Sequence, residues 1–531
     1  MSEVTRRGFI GSTAVVGGGI AAAGLAPAGA AHAQKAAVKA VVVRPDDPRY
    51  EDLAVRRTNE RFQPRPEYFH VVGSTEQVVG AVQEAVRAGR RVTVRSGGHC
   101  YENFVGEGAQ VVIDLCEMNE VRFDEKRGAF LVEAGATLMQ TYRTLYLGWG
   151  VTLPGGQCGG VSAGGHIAGG GYGPLSRLHG LTVDYLEAVE VVVVDRGGRA
   201  RAVVATRDPD DPHHDLWWAH TGGGGGNFGV VTRYWLRDPA ARGRDPRTLL
   251  PKPPASVLSG IAIWSWKDLS RESFRRLLRN HGEWHERNSA AGTPAAALWG
   301  SLLIPGRKPG ADPGGIVMPT QVDAGVRGAR ELLDGYFATV AEGVTPQVFV
   351  PPYTTMPWFK AVRTLSLGAE SEQGRYKGKS AYLRSRLTDR QADVAYDHLD
   401  RPHGLLWLLS YGGRVNTVAP GATATVERSS MLKMLHLGNW EEGQDGKEQL
   451  AWVRSFHRDT FAGTGGVPVP GGNCGGAYIN YPDIDHADPD WNTSGAPWST
   501  LYYGDNYARL QRVKRRWDPR NVFHHALSVR G

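Results

Sequence analysis

The 531-residue chain reads as an α+β protein of two domains, and three observations lead there. A single hydrophobic core stops growing at about 250–300 residues, so this length calls for two. Between residues 71 and 150, short β-type runs alternate with capped helices, the pattern of a mixed-layer domain. Around residues 238–255 a charged, proline-rich connector separates a glycine-rich half from a stretch with few glycine clusters.

Residues 1–33 read as a targeting segment. Thr5-Arg6-Arg7-Gly8-Phe9-Ile10 has the twin-arginine pattern, a weakly apolar Gly/Ala/Val stretch follows, and Ala31-His32-Ala33 makes a small-residue cleavage site. Gly17-x-Gly19-x-x-Ala22 imitates a dinucleotide fingerprint, but no strand precedes it. The expected partner of this segment is the twin-arginine export machinery, and the expected location is extracytoplasmic. No other stretch is long and apolar enough to span a bilayer, so stable membrane insertion is not expected.

In residues 40–240, Ser74-Thr75-Glu76-Gln77 has a capping-box pattern, and Val78, Val82 and Val86 mark an amphipathic helix ended by Gly89. Arg91-Val92-Thr93-Val94 reads as a strand that leads into the loop Arg95-Ser96-Gly97-Gly98-His99. Val111 to Leu115 and Ala129 to Glu133 are further strands. Thr137-Leu138-Met139-Gln140 repeats the cap and opens a helix through Leu145 that Gly148 stops. Val189 to Val194, the turn Asp195-Arg196-Gly197-Gly198, and Arg199 to Ala205 form a hairpin. Gly222 to Gly226 lie between Trp217-Trp218 and a strand from Phe228 to Tyr234, so a buried tight turn is expected there rather than a linker. Residues 255–475, with helical stretches and short strands, form the expected second domain. Residues 476–531 read as a return segment that completes the site.

The net charge of +7 comes from interspersed basic and acidic residues, without a Lys/Arg run, which argues against a nucleic-acid surface. Cys100, Cys116, Cys158 and Cys474 are too few for a disulfide scaffold of this length, and no C-x-x-C pair suggests zinc. The adjacent pairs His213-His214 and His524-His525 point apart in extended chain, so they read as structural and no metal is expected.

The 70 glycines cluster at 155–173 and 222–229, where backbone is expected to run close to a ligand. Consecutive glycines leave backbone N–H groups free to face a pyrophosphate. His99 leaves one such loop, and Cys158 leaves a second, Pro154-Gly155-Gly156-Gln157-Cys158-Gly159-Gly160. Alone, His99 reads as a turn residue and Cys158 as a small buried hydrophobe. Together, on two glycine-rich loops, they read as two nucleophiles presented to a cofactor.

Arg95-Ser96-Gly97-Gly98-His99-Cys100, Gly169-Gly170-Gly171-Tyr172-Gly173-Pro174-Leu175-Ser176-Arg177, Trp217 to Gly229 and Gly476-Ala477-Tyr478-Ile479-Asn480-Tyr481-Pro482-Asp483 carry a family resemblance. The chain resembles the berberine-bridge-enzyme-like flavoprotein oxidases of the vanillyl-alcohol oxidase superfamily, above all bacterial members that tailor antibiotics. The resemblance implies a two-domain FAD-binding fold with a separate substrate domain. It implies a bicovalent FAD, with His99 on the flavin 8α-methyl group and Cys158 on flavin C6. Arg95, Ser96, Gly97, Gly98, Gly159, Gly160, Gly164, Gly165, Asn480 and Asn521 are the further cofactor-binding positions. Tyr481 is implied as the catalytic base, with Tyr411 and Tyr172 as accompanying active-site tyrosines; for each, a packed tyrosine with a satisfied hydroxyl is the plainer reading. A phenol removes a hydroxyl proton only if its pKa falls well below about 10. The implied reaction takes an alcohol of a polyketide or glycosylated secondary metabolite to a carbonyl, with O2 reduced to H2O2. Oxidation of an oligosaccharide or hexose at its anomeric carbon is the alternative. Cys100, beside His99, is poorly placed for the far edge of a flavin, and Cys474 has no assigned part.

Overall fold

The computed structural model describes residues 39–307, 315–365 and 374–531. The targeting segment expected at 1–33 lies outside the described residues. The described residues are mixed α and β, built on three sheets.

The first sheet runs in the order Val41–Val43, Tyr68–Val71, Val111–Asp114, Val92–Arg95, antiparallel at the first pair and parallel at the other two. Parallel strands are covered on both faces and read as continuous apolar runs; Phe69, Val111, Val112 and Ile113 are accordingly fully buried. The helix Thr75–Arg87 starts on Ser74, whose hydroxyl accepts from the Gln77 N–H, and it buries Val78, Ala81, Val82 and Ala85.

The second sheet is antiparallel, in the order Val121–Asp124, Ala129–Glu133, Val230–Leu236, Leu186–Val194, Ala200–Thr206. The last two strands are the hairpin expected around Asp195–Gly198. The helix Leu138–Trp149 opens on a full capping box between Thr137 and Gln140, but it does not stop at Gly148. It runs one residue further, and Gly150 ends it with φ of 69°. A helix terminates where a residue reaches the left-handed region, and here the second glycine does so.

The third sheet is eight-stranded and antiparallel, in the order Thr354–Pro357, Ser256–Trp264, Ile316–Asp323, Leu298–Pro305, Gly404–Ser410, Leu432–Trp440, Arg375–Leu383, Cys474–Gly476. Five of these strands are eight or nine residues long, not the short strands expected from the sequence. The reason is burial on both faces. Leu302, Ile304, Leu406, Leu408, Leu432 and Met434 enter the core formed with Arg271–Asn288, Ala329–Ala341 and Lys447–Thr460. The alternate residues Leu405, Trp407, Leu409 and Leu437 face a large cavity instead. With both faces apolar, the polar/apolar alternation that signals a strand is lost.

After the edge strand Cys474–Gly476 the chain returns to the second sheet, where helices Trp498–Tyr503 and Tyr507–Trp517 bury Leu501, Tyr503, Leu510, Val513 and Trp517. Buried Lys514 donates to the Asn227 and Phe523 carbonyls and to Asp518, which ties the glycine run to the C-terminal segment. That run is a tight turn, with Gly222, Gly223 and Gly224 buried.

Candidate active site

Strand Val92–Arg95 ends on a buried guanidinium. Arg95 binds the Asp114 carboxylate at 2.7 Å and the Leu53 carbonyl at 2.6 Å. Arg56 donates to the Ser96 carbonyl at 2.9 Å. These bonds fix the loop base, and Gly98 then turns the chain with φ of 76°. A Cβ there would lie 2.7 Å from the Arg56 carbonyl oxygen, so only glycine fits. His99 follows, held by the Gly160 backbone; desolvation lowers its pKa to about 4. It is therefore a neutral imidazole at physiological pH, with a free electron pair.

The Cys158 loop hangs on the start of helix Leu138–Trp149. The Leu138 and Met139 N–H groups donate to the Val161 and Gly159 carbonyls at 2.8 and 3.0 Å. Tyr142 Oη donates to the Gly156 carbonyl at 2.7 Å, and the Gly156 N–H donates to His166 Nε2 at 3.2 Å. The first two N-terminal donors of the helix are thus satisfied by the loop itself.

His99 and Cys158 line one cavity of about 890 Å³. Arg95, Ser96, Gly97, Gly98, Gly164, Gly165, Asn480, Tyr172 and Tyr481 line it too. Gly159, Gly160, Asn521 and Tyr411 do not. Gly159 and Gly160 serve the backbone contacts just described. Asn521 sits at a left-handed turn, φ 51°, after which His524 and His525 reach the cavity wall. Both histidines therefore have a place at the site that their adjacency in sequence did not suggest, with the His525 ring stacked on Phe104 at 3.9 Å.

The residues fit a dinucleotide flavin. A Cβ on Gly165 or Gly225 would meet no protein atom within 4 Å, and both glycines line the cavity, so their bare backbone leaves room for a ligand. The two glycine loops present a neutral imidazole, His99, and a thiol, Cys158, to this cavity. Cys100 also lines the cavity, and desolvation pushes its pKa up to about 12.

Tyr481 Oη and Tyr172 Oη are 2.9 Å apart. The Tyr481 ring stacks on Tyr101 at 4.9 Å, and Tyr172 meets Tyr478 and Tyr411 edge-on at 5.4 and 6.1 Å. Tyr411 is fully buried behind Tyr172, its hydroxyl on the Glu427 carbonyl at 3.5 Å. In the protein alone, burial raises the Tyr481 pKa, and the Tyr172 hydroxyl only partly opposes it. The lowered phenol expected from the reaction needs a positive neighbour.

Lys433 is a buried amine set among the tyrosines around this pair, and it has no sequence signature. Its Nζ lies 3.3 Å from the Tyr172 ring centre and 3.2 Å from that of Tyr478, with Tyr382 and Tyr411 at 4.7 and 5.0 Å. The side chain is buried and its amine has no hydrogen-bond partner among the described residues. Burial drives its pKa well below the ordinary lysine value. Tyr101 was also missed, although it stands two residues beyond His99.

Residues 66–201 match the FAD binding domain, and residues 477–530 the berberine and berberine-like domain. An aclacinomycin-N/aclacinomycin-A oxidase of Streptomyces galilaeus is 50% identical over 548 residues, covering 100% of this chain and 99% of that protein. The chain belongs to the berberine-bridge-enzyme-like FAD-linked oxidases. As a family member it is an FAD-dependent oxidoreductase with the vanillyl-alcohol oxidase-type fold. The crystal structure of a glycopeptide hexose oxidase complexed with teicoplanin superposes with a TM-score of 0.89 at 51% identity, covering 93% of this chain and 100% of that one. A hexose oxidase of Chondrus crispus is 30% identical over 87% of this chain and 90% of its own. In this chain the two glycine loops and the tyrosine pair converge on one cavity.

Proposed function

We propose that the enzyme is a bicovalent FAD oxidase, with His99 and Cys158 as the two attachment points, that converts an alcohol of a polyketide or glycosylated secondary metabolite to a carbonyl. The observation that carries this reading is the Tyr481–Tyr172 hydroxyl pair, set in the same cavity as His99 and Cys158. FAD bound there supplies the two-electron chemistry, taking a hydride from the carbinol carbon and returning the electrons to O2 as H2O2.

The chain's own groups do the rest. His99 and Cys158 hold the cofactor, and the bare glycines let it approach the backbone. Tyr481 takes the substrate hydroxyl proton, and Tyr172 shares that proton through its hydrogen bond. Leu405, Trp407, Leu409 and Leu437 offer an apolar wall broad enough for a fused-ring or otherwise bulky body. The twin-arginine pattern at Arg6-Arg7 supports export of the folded, loaded enzyme. No helix of the described residues is long and apolar enough to cross a membrane.

The test is turnover of aclacinomycin A by the purified protein, read as O2 uptake with stoichiometric H2O2, beside a panel of free hexoses. Yellow protein after acid precipitation and oxidation of the polyketide glycoside are expected. Oxidation of hexoses alone would move the assignment to a sugar oxidase, and a colourless protein would end the oxidase reading.

A further inference from the structure

Between the segments that carry Tyr101 and Tyr481 lies a buried ionic cluster that the reaction does not use. Lys377 Nζ donates to Glu102 Oε1 at 2.5 Å and to Asp483 Oδ1 at 2.6 Å. Lys379 Nζ donates to Asp483 and, at 2.9 Å, to Asp485. Arg454 closes on both Asp485 oxygens at 3.0 and 2.9 Å. The three carboxylate side chains and both lysines are at most 3% exposed. Attraction outweighs burial at Lys377, which is raised, and at Asp483, which is held well below the usual carboxylate range, whereas at Glu102 burial wins and the carboxyl is raised.

Stability is a poor account of such a cluster, because apolar packing of equal volume often does as well as a buried ion network. Its connectivity is the informative part. Glu102 lies three residues beyond His99, Asp483 two beyond Tyr481, and Lys377 on the strand Arg375–Leu383 between them. The Ile484 N–H adds a bond to the same Glu102 oxygen at 3.4 Å. On that strand Gly378 leaves the gap that the Tyr101 ring fills; a Cβ would lie 2.6 Å from it. Tyr101 in turn stacks on Tyr481.

We propose that Lys377 is a positioning residue: its bridge between Glu102 and Asp483 locks the His99 loop to the Tyr481 segment and so keeps the attachment point and the proton acceptor in one fixed geometry. The lock rests on Tyr481 as the base, and its consequences reach both ends of the bridge. At one end lies the limiting rate of proton removal, at the other the attachment of flavin through His99.

Lys377→Met removes the bridge, whereas Lys377→Arg keeps a cation there. With aclacinomycin A as substrate under anaerobic conditions, Lys377→Met is expected to lower the limiting rate of flavin reduction by on the order of tenfold or more, as misplacement of a reacting group does, with KM little changed. Lys377→Arg is expected to recover most of that rate. In a Cys158→Ala background, where only His99 can attach, Lys377→Met is expected to lower the share of flavin that stays with acid-precipitated protein. A folded, loaded Lys377→Met enzyme with the parent rate and undiminished His99-linked flavin would overturn the lock. If that variant does not fold, Glu102→Gln takes its place, expected to slow reduction about threefold by weakening one arm of the bridge; the parent rate would overturn the lock. If the parent enzyme is not reduced by aclacinomycin A, the functional reading has failed, and the acid-stable flavin share alone decides the lock.

Discussion

At the scale of single residues the site turns on how a buried phenol loses its proton. Enclosure by Tyr101, Tyr172 and Tyr478 raises the Tyr481 pKa, and the hydrogen bond shared with Tyr172 lowers it by less. Substituting Tyr481 by Phe keeps the ring stack on Tyr101 and removes only the acceptor. The Tyr481→Phe enzyme should therefore bind flavin normally yet show anaerobic flavin reduction by aclacinomycin A slowed by about 10²–10⁴-fold, the usual range for a lost general base. Stopped-flow absorbance measures this directly, and reduction at the parent rate would show that another group accepts the proton.

At the scale of elements, the helix Leu138–Trp149 is the support of the Cys158 loop. Its first N–H groups are capped by loop carbonyls, and Tyr142 reaches from its second turn to the Gly156 carbonyl. Tyr142→Phe removes that bond from a buried setting, at a cost of about 1 kcal/mol. In a His99→Ala background, where Cys158 is the remaining attachment point, the acid-stable flavin share should fall along with the melting temperature. An unchanged share would mean that the loop is held elsewhere. Much at this scale was legible beforehand because it is local: the Thr137–Gln140 cap and the Asp195–Gly198 hairpin are each written within a few residues. The helix end was misread because two glycines lay close together, and only the backbone angle tells which one stops the helix. The two glycine loops were legible as ligand-facing chain, whereas Lys433 was not. It stands as one basic residue in the strand Leu432–Trp440, and only the pairing of that strand with Gly404–Ser410 and Arg375–Leu383 carries it among four tyrosine rings. Asn521 shows the converse, a residue near a motif that shapes the wall without facing the cavity.

At the scale of the whole molecule, burial of histidine sets the pH range in which the fold persists. His179, His281, His436 and His486 lie outside the cavity lining, and desolvation lowers their pKa values to about 4, 3, 3 and 4. Each is neutral when folded but takes a proton when unfolded once the pH drops below about 6.5. The unfolded chain then binds more protons than the native one, so stability is intact above that pH and is lost as the pH falls toward 4. Each such histidine contributes up to about 1.4 kcal/mol per pH unit across this window. The usual carboxylates are still largely ionised there, and the buried Asp483, held well below its ordinary range, adds its own loss only at lower pH. Thermal melts of the loaded enzyme between pH 7.5 and 4 should therefore show a steep fall in melting temperature beginning near pH 6.5. Replacing His281, whose ring nitrogens have no hydrogen-bond partner among the described residues, by Phe should flatten that slope with little change at neutral pH. A melting temperature constant down to pH 4.5 would mean that these rings keep their protons when folded.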